Sequence, residues 1–251
     1  MSLAELLLLA FIALGAYVQS IAGFAMAMLA VALTAAFTSL PLPLVTSTTM
    51  LAALVNVVGG LHGAWHQVDW RGWRAMTLLQ VPAVWLGLWL LGWLSADAGH
   101  VLRLLLGGFV LAAGLAMMLR PAPRALRSPA LSFALVGGTG GVLNGMFAAG
   151  GPIAGWFLYR QPLPAEVIRA TLLAYFMVGS GTRVLTVALT GGFDAQVLRL
   201  AAVAIPVTLL FTWLGRAFRP PLGDVATRRA AFALLLGSGA LILLDALGVL
   251  R

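Results

Sequence analysis

The chain has 251 residues, 62% of them hydrophobic and only 9% charged, where a soluble domain carries about a quarter. Burying that much apolar surface in a water-soluble fold of this size would leave large apolar patches outside, so lipid is the natural solvent. The formal charge of +8 comes from arginines in short loops between apolar runs, which argues against a nucleic-acid module and reads as topology-setting charge.

Long continuous apolar runs, rather than short alternating ones, exclude a β-barrel and predict helices. With no cysteine there is no disulfide or thiolate chemistry. Met1-Ser2-Leu3-Ala4-Glu5 lacks the basic start of a signal peptide, so the first apolar stretch is expected to stay in the mature protein.

From Glu5 to His62 no charged residue or histidine appears, too long a run for one helix crossing a core of about 30 Å. Breaks are expected at Ser20–Gly23 and at Ser39-Leu40-Pro41-Leu42-Pro43. Further apolar segments follow at Pro43–Leu61, Ala75–Leu94, Leu104–Leu119, Ala130–Tyr159, Val167–Thr190, Leu200–Leu214 and Ala230–Leu250. About eight hydrophobic elements result.

The chain also repeats itself. Asp69 and Arg74 answer Asp194 and Arg199, Pro82 answers Pro206, Arg103 answers Arg228, and Gly114 answers Gly239. Upstream, Ala22-Gly23 answers Ala149-Gly150 and Thr49 answers Thr171. This ordered series predicts a duplication: a first membrane repeat over 1–120, an Arg/Pro linker over 121–129 and a second repeat over 130–251. If the first element of each half is broken or re-entrant, each half crosses three times and the halves are inverted. The arginine loops at 71–74, 120–127, 160–169 and 216–229 then all face the cytoplasm.

The second break reads Asn144-Gly145-Met146-Phe147-Ala148-Ala149-Gly150-Gly151-Pro152. Gly150 and Gly151 permit backbone shapes closed to other residues, and Pro152 suits a helix start. The free N–H groups of such a half-helix form an anion site. The first half offers Gln19-Ser20-Ile21-Ala22-Gly23. The glycines Gly137, Gly141 and Gly145 at four-residue spacing read first as helix packing.

The next element of each half carries a stripe of polar and small residues: Thr46, Thr49, Asn56, Gly60 and Gly63, then Thr171, Tyr175, Thr182 and Thr186. Packing and a solute pathway account for it equally. Arg183 lies inside an apolar segment with no acid beside it, at an insertion cost of about 2.5–3.5 kcal/mol, and either faces a cavity or snorkels to an interface. Asp69 and Asp194 are expected to anchor loops through Arg74 and Arg199. His62 and His66 at helical spacing would need further ligands to hold a metal. No triad, carboxylate pair or phosphate loop stands out, so no catalytic residue, metal or cofactor is assigned and an enzyme is not expected.

The glycine-rich break early in each half resembles the TauE/SafE (sulfite exporter) family of bacterial membrane transporters. The resemblance rests on Val18-Gln19-Ser20-Ile21-Ala22-Gly23-Phe24, His66-Gln67-Val68-Asp69-Trp70-Arg71, Gly145-Met146-Phe147-Ala148-Ala149-Gly150-Gly151-Pro152, and Leu163-Pro164-Ala165-Glu166-Val167-Ile168-Arg169-Ala170-Thr171. It implies a multi-pass protein of the bacterial inner (cell) membrane that moves sulfite, thiosulfate, sulfoacetate or related organosulfonates. Phe24-Ala25-Met26 departs from the family's glycine-rich pattern and implies an asymmetric site.

The combined expectation is an all-α integral membrane protein acting as a secondary transporter by alternating access. Its substrate-binding residues would be Gln19, Ser20, Gly23, Thr49, Asn56, Asn144, Gly150, Gly151, Pro152, Thr171 and Arg183. Its partners would be a small anion, the lipid bilayer, a coupling ion (H+ or Na+) and, as an oligomer, further copies of itself, with no nucleic acid. The alternatives are a permease for another small organic solute and a non-transporting membrane assembly subunit.

Overall fold

A computed structural model describes residues 1–22, 25–118, 123–218 and 223–249. The described chain forms ten helices: α1 (Leu3–Ala22), α2 (Met26–Phe37), α3 (Leu42–Leu61), α4 (Trp70–Asp97), α5 (Gly99–Met118), α6 (Ala130–Phe147), α7 (Gly151–Leu158), α8 (Ala165–Leu189), α9 (Ala195–Ala217) and α10 (Gly223–Ala246), with one 3-10 turn at Trp65–Gln67. Among the described residues, seven are long and apolar enough to cross a membrane: α1, α3, α4, α5, α6, α8 and α9.

Local sequence explains the ends. Pro41 and Pro164 lack an N–H and have extended backbone at the N-caps of α3 and α8. Asp194 caps α9 by accepting the Val197 N–H at 2.7 Å. Helix α2 is buried on nearly every face and has one polar side chain near its end, Thr34, whose hydroxyl donates to Ala30 O at 2.6 Å. With 12 residues it is about 18 Å long, too short to cross.

At both breaks the chain doubles back. A Cβ on Gly15 would come 2.6 Å from Met26 O, which places the start of α2 beside the body of α1, and Phe37 returns to Phe11 at 6.0 Å between ring centroids. In the second half Gly150 lies against the Gly140 carbonyl. The chain before α6 and after α7 then meets: the Ser128 N–H donates to Gln161 Oε1 at 3.0 Å, and the Arg124 N–H donates to Arg160 O at 2.8 Å.

The halves interlock. Gly137, Gly141 and Gly145 of α6 sit on Met76, Gln80 and Val84 of α4 in steady register, so these two helices run parallel. Glu5 and Ser20 of α1 meet Arg199 and Gly215 of α9, again parallel. Helices α5 and α10 pack antiparallel, with Gly114 on Leu236, Gly239 on Leu111 and an Arg103–Asp245 ion pair of 2.7 Å at one end. Helices α3 and α8 also pack antiparallel, with Val57 and Leu61 clustered against Ala170 and Ala174. The packing role expected of Gly137 and Gly141 is what the structure shows: a side chain at either would strike α4 backbone.

The expected loop anchors are repartnered. Asp69 binds Arg127 at 2.6 Å rather than Arg74, because the α6 N-terminus lies beside that of α4. Arg199 binds Glu5 at 2.6 Å, while Asp194 serves as the cap of α9.

Candidate anion site between the two helix breaks

The first turns of α2 and α7 face a common cavity of about 40 Å³. Ala25, Ala27 and Met28 line it from the first break, and Ala148, Ala149, Gly150, Gly151 and Pro152 from the second. Met50, Ala53 and Val57 of α3 and Phe176 and Ser180 of α8 complete the wall, close to the midpoints of those helices. Gln19 and Asn144 supply amide side chains. The cavity therefore sits where two helix N-termini point inward, an arrangement that favours an anion.

The breaks are made differently from the expectation. The left-handed conformations fall on Ala25 (φ 99°) and Ala148 (φ 57°), whereas Gly150 has ordinary helical geometry (φ −70°). Gly150 is small for a steric reason: a Cβ there would come 2.5 Å from Gly140 O.

Arg183 is 1% exposed, and no salt bridge ties it to a carboxylate among the described residues. One terminal nitrogen donates to the Asn144 carbonyl at 3.2 Å and the other to Thr46 Oγ1 at 2.7 Å, leaving Nε–H without a partner. Arg183 thus holds the C-terminal turn of α6 from one layer behind the cavity wall, where a cation complements the helix dipole. Asn144 is on the cavity wall, but its Nδ2 is fully buried without a hydrogen-bond partner and faces Gly179 and the Gln80 side chain rather than the cavity.

The remaining expected residues divide. Gln19 accepts the Met26 N–H at 3.0 Å and donates to Asn56 Oδ1 at 2.9 Å. Ser20 and Asn56 border a second, larger cavity of about 330 Å³. Thr49 is fully buried, with its hydroxyl unpartnered, and is not part of either cavity wall. Thr171 is not brought to the site: its hydroxyl donates to Val167 O and accepts the Asp69 N–H at 2.9 Å, fastening α8 to the loop before α4. Gly23 lies outside the described residues.

Ser180, Phe176, Met28 and Met50 were not among the expected site residues. The apolar three carry no signal against an apolar background, and Ser180 was open to detection only through its place one turn before Arg183.

The family model described as sulfite exporter TauE/SafE matches residues 7–242, a span that includes both breaks and every wall of the cavity. The chain belongs to the TauE/SafE family. It is 39% identical over 233 residues, covering 93% of this chain and 91% of the relative, to a probable sulfite/organosulfonate exporter TauE of Cupriavidus necator. It is 30% identical over 182 residues to a probable inner membrane transporter protein TsaS of Comamonas testosteroni, covering 71% of this chain and 75% of the relative. No solved structure matches. TauE/SafE membership and the crossing-length helices make this chain a multi-pass membrane transporter.

Proposed function

We propose that the protein moves small sulfur-containing anions, such as sulfite, thiosulfate, sulfoacetate or related organosulfonates, across the bacterial inner membrane by alternating access. The observation that carries this reading is the pair of helix N-termini facing one buried cavity, with an uncompensated guanidinium a layer behind it. The relatives' names point to the same substrate class.

The anion would accept from the first-turn N–H groups of α2 and α7, while Arg183 sets a positive potential across the Asn144 turn. A sulfonate offers three acceptor oxygens and needs no proton transfer, which suits a site without a general acid. At about 40 Å³ the cavity has room for roughly three waters, too little for an organosulfonate such as sulfoacetate, so entry of such a substrate requires the halves to move apart.

Residues 1–120 and 130–251 would act as inverted repeats joined by 121–129, with α1–α2 and α6–α7 as re-entrant hairpins. The parallel α1/α9 and α4/α6 pairs, together with the antiparallel α3/α8 and α5/α10 pairs, support it, since a two-fold axis in the membrane plane generates that set.

The test is thermal stability of the purified protein against sulfite, thiosulfate, sulfoacetate, taurine, sulfate, acetate and phosphate, followed by flux in proteoliposomes. Stabilisation confined to sulfur oxyanions or sulfonates, with matching flux, is expected. Stabilisation by acetate or phosphate alone would move the assignment to another anion.

A further inference from the structure

Two cavities approach each other inside the protein without merging. The central one lies between the helix breaks. The larger, of about 330 Å³, is a vestibule bordered by Asn56, Gln67, Arg169 and Thr212, on the side of the loop before α4. Among the described residues, Gln19 is the one side chain that lines both.

Gln19 is 8% exposed and both ends of its amide are held. Oε1 accepts the Met26 N–H, the first amide of α2, at 3.0 Å. Nε2 donates to Asn56 Oδ1 at 2.9 Å, and Asn56 Nδ2 donates onward to Thr212 Oγ1 at 2.7 Å. One hydrogen-bonded chain thus ties α1 and α2 to α3 and α9, and it runs along the partition between the cavities.

Met26 is fully buried between the wall residues Ala25 and Ala27, and Gln19 covers its amide, so Gln19 Oε1 stands where the oxygen of an anion at the start of α2 would go. A neutral amide oxygen is the weaker acceptor; hydrogen bonds to an ionised acceptor are roughly twice as strong. Across the cavity, Gly150, Gly151 and Pro152 bring the first turn of α7 to the same space. An anion that takes the Met26 amide releases Gln19.

We propose that Gln19 is the gate between the vestibule and the central site, and that the arriving anion opens it by taking over the Met26 amide. This rests on the anion-transport reading for the ligand, but not for the partition itself. Thr212 is then a positioning residue, acting on Gln19 through Asn56.

The absence of cysteine makes the partition measurable. Ser180→Cys places a single thiol in the central cavity, and its rate of modification by methyl methanethiosulfonate in the full-length purified protein reports how often the partition opens. In that background and without ligand, Gln19→Leu is expected to raise the rate roughly ten-fold or more, the scale of losing two hydrogen bonds. Thr212→Val, which removes only the acceptor of Asn56, is expected to raise it by a smaller factor and decides the question if Gln19→Leu does not fold.

With its competitor gone, sulfoacetate should bind Gln19→Leu about five-fold more tightly in a melting titration, because more of the protein is competent to receive it. Unchanged labelling in the folded variants would overturn the gate. Weaker sulfoacetate binding in Gln19→Leu would overturn the displacement step, making Gln19 an ordinary ligand. If the parent protein binds no anion of the panel, the anion's part falls together with the transport reading, and the labelling rates still decide the partition.

Discussion

Arg183 puts five N–H donors and a positive charge inside the protein, and its surroundings answer with two neutral oxygens, the main-chain carbonyl of Asn144 and Thr46 Oγ1. A buried charge without a counter-charge is costly, and the cost is sustained where an anion visits. Arg183→Gln is therefore expected to abolish both anion-dependent stabilisation and flux. The unliganded protein should melt within a few degrees of the parent, because the substitution also removes an insertion cost of about 2.5–3.5 kcal/mol. Arg183→Lys keeps the charge but not the planar fork that spans Asn144 and Thr46, so an intermediate loss with a raised KM is expected. Normal flux in Arg183→Gln would reduce the residue to a cap on α6. Arg183 was legible in the sequence because a lone cation in an apolar segment is conspicuous. Thr171 shows the limit of such reading: hydroxyls at helical spacing mark a face without saying what it meets, and this one meets the Asp69 amide.

At the scale of elements, the parallel contact of α4 with α6 depends on three glycines spaced four residues apart. A Cβ at Gly137 or Gly145 would overlap the Met76 or Val84 carbonyl, backbone atoms that cannot swing aside, whereas one at Gly92 would meet nothing within 4 Å. Gly137→Ala and Gly145→Ala are each expected to destabilise by about 1–3 kcal/mol, the usual scale of overpacking. Gly92→Ala should be neutral or slightly stabilising, since alanine is the better helix former by up to about 1 kcal/mol. Melting temperatures of the three variants in one detergent check this, and equal losses would refute the contact. The position of each break was legible from small residues and proline, but the fold-back was not. An apolar run such as 26–37 reads the same whether it continues through the bilayer or returns beside α1. Its return is fixed by Gly15 and the Met26 backbone, a contact between residues that no local pattern links.

At the scale of the whole molecule, hydrogen bonds and an ion pair gather the loops carrying Arg71, Arg74, Arg124, Arg127, Arg160 and Arg169 at one end. Glu5, Asp194, Arg199, Arg103 and Asp245 lie at helix ends leading to the other. The positive-inside rule assigns the arginine-rich end to the cytoplasm. The vestibule then opens inward, with Glu166 and Arg169 both on its wall. Single cysteines in this cysteine-free chain test the arrangement with a membrane-impermeant maleimide on intact cells. Ala96→Cys and Ala195→Cys are expected to react from outside. Leu126→Cys, at a position 82% exposed, and Ala165→Cys should react only after permeabilisation. These last two flank the α6–α7 hairpin, so finding them on opposite sides would break the re-entrant reading. Finding both outside would keep the hairpin but reverse the protein in the membrane, and the vestibule with its Gln19 partition would then open outward.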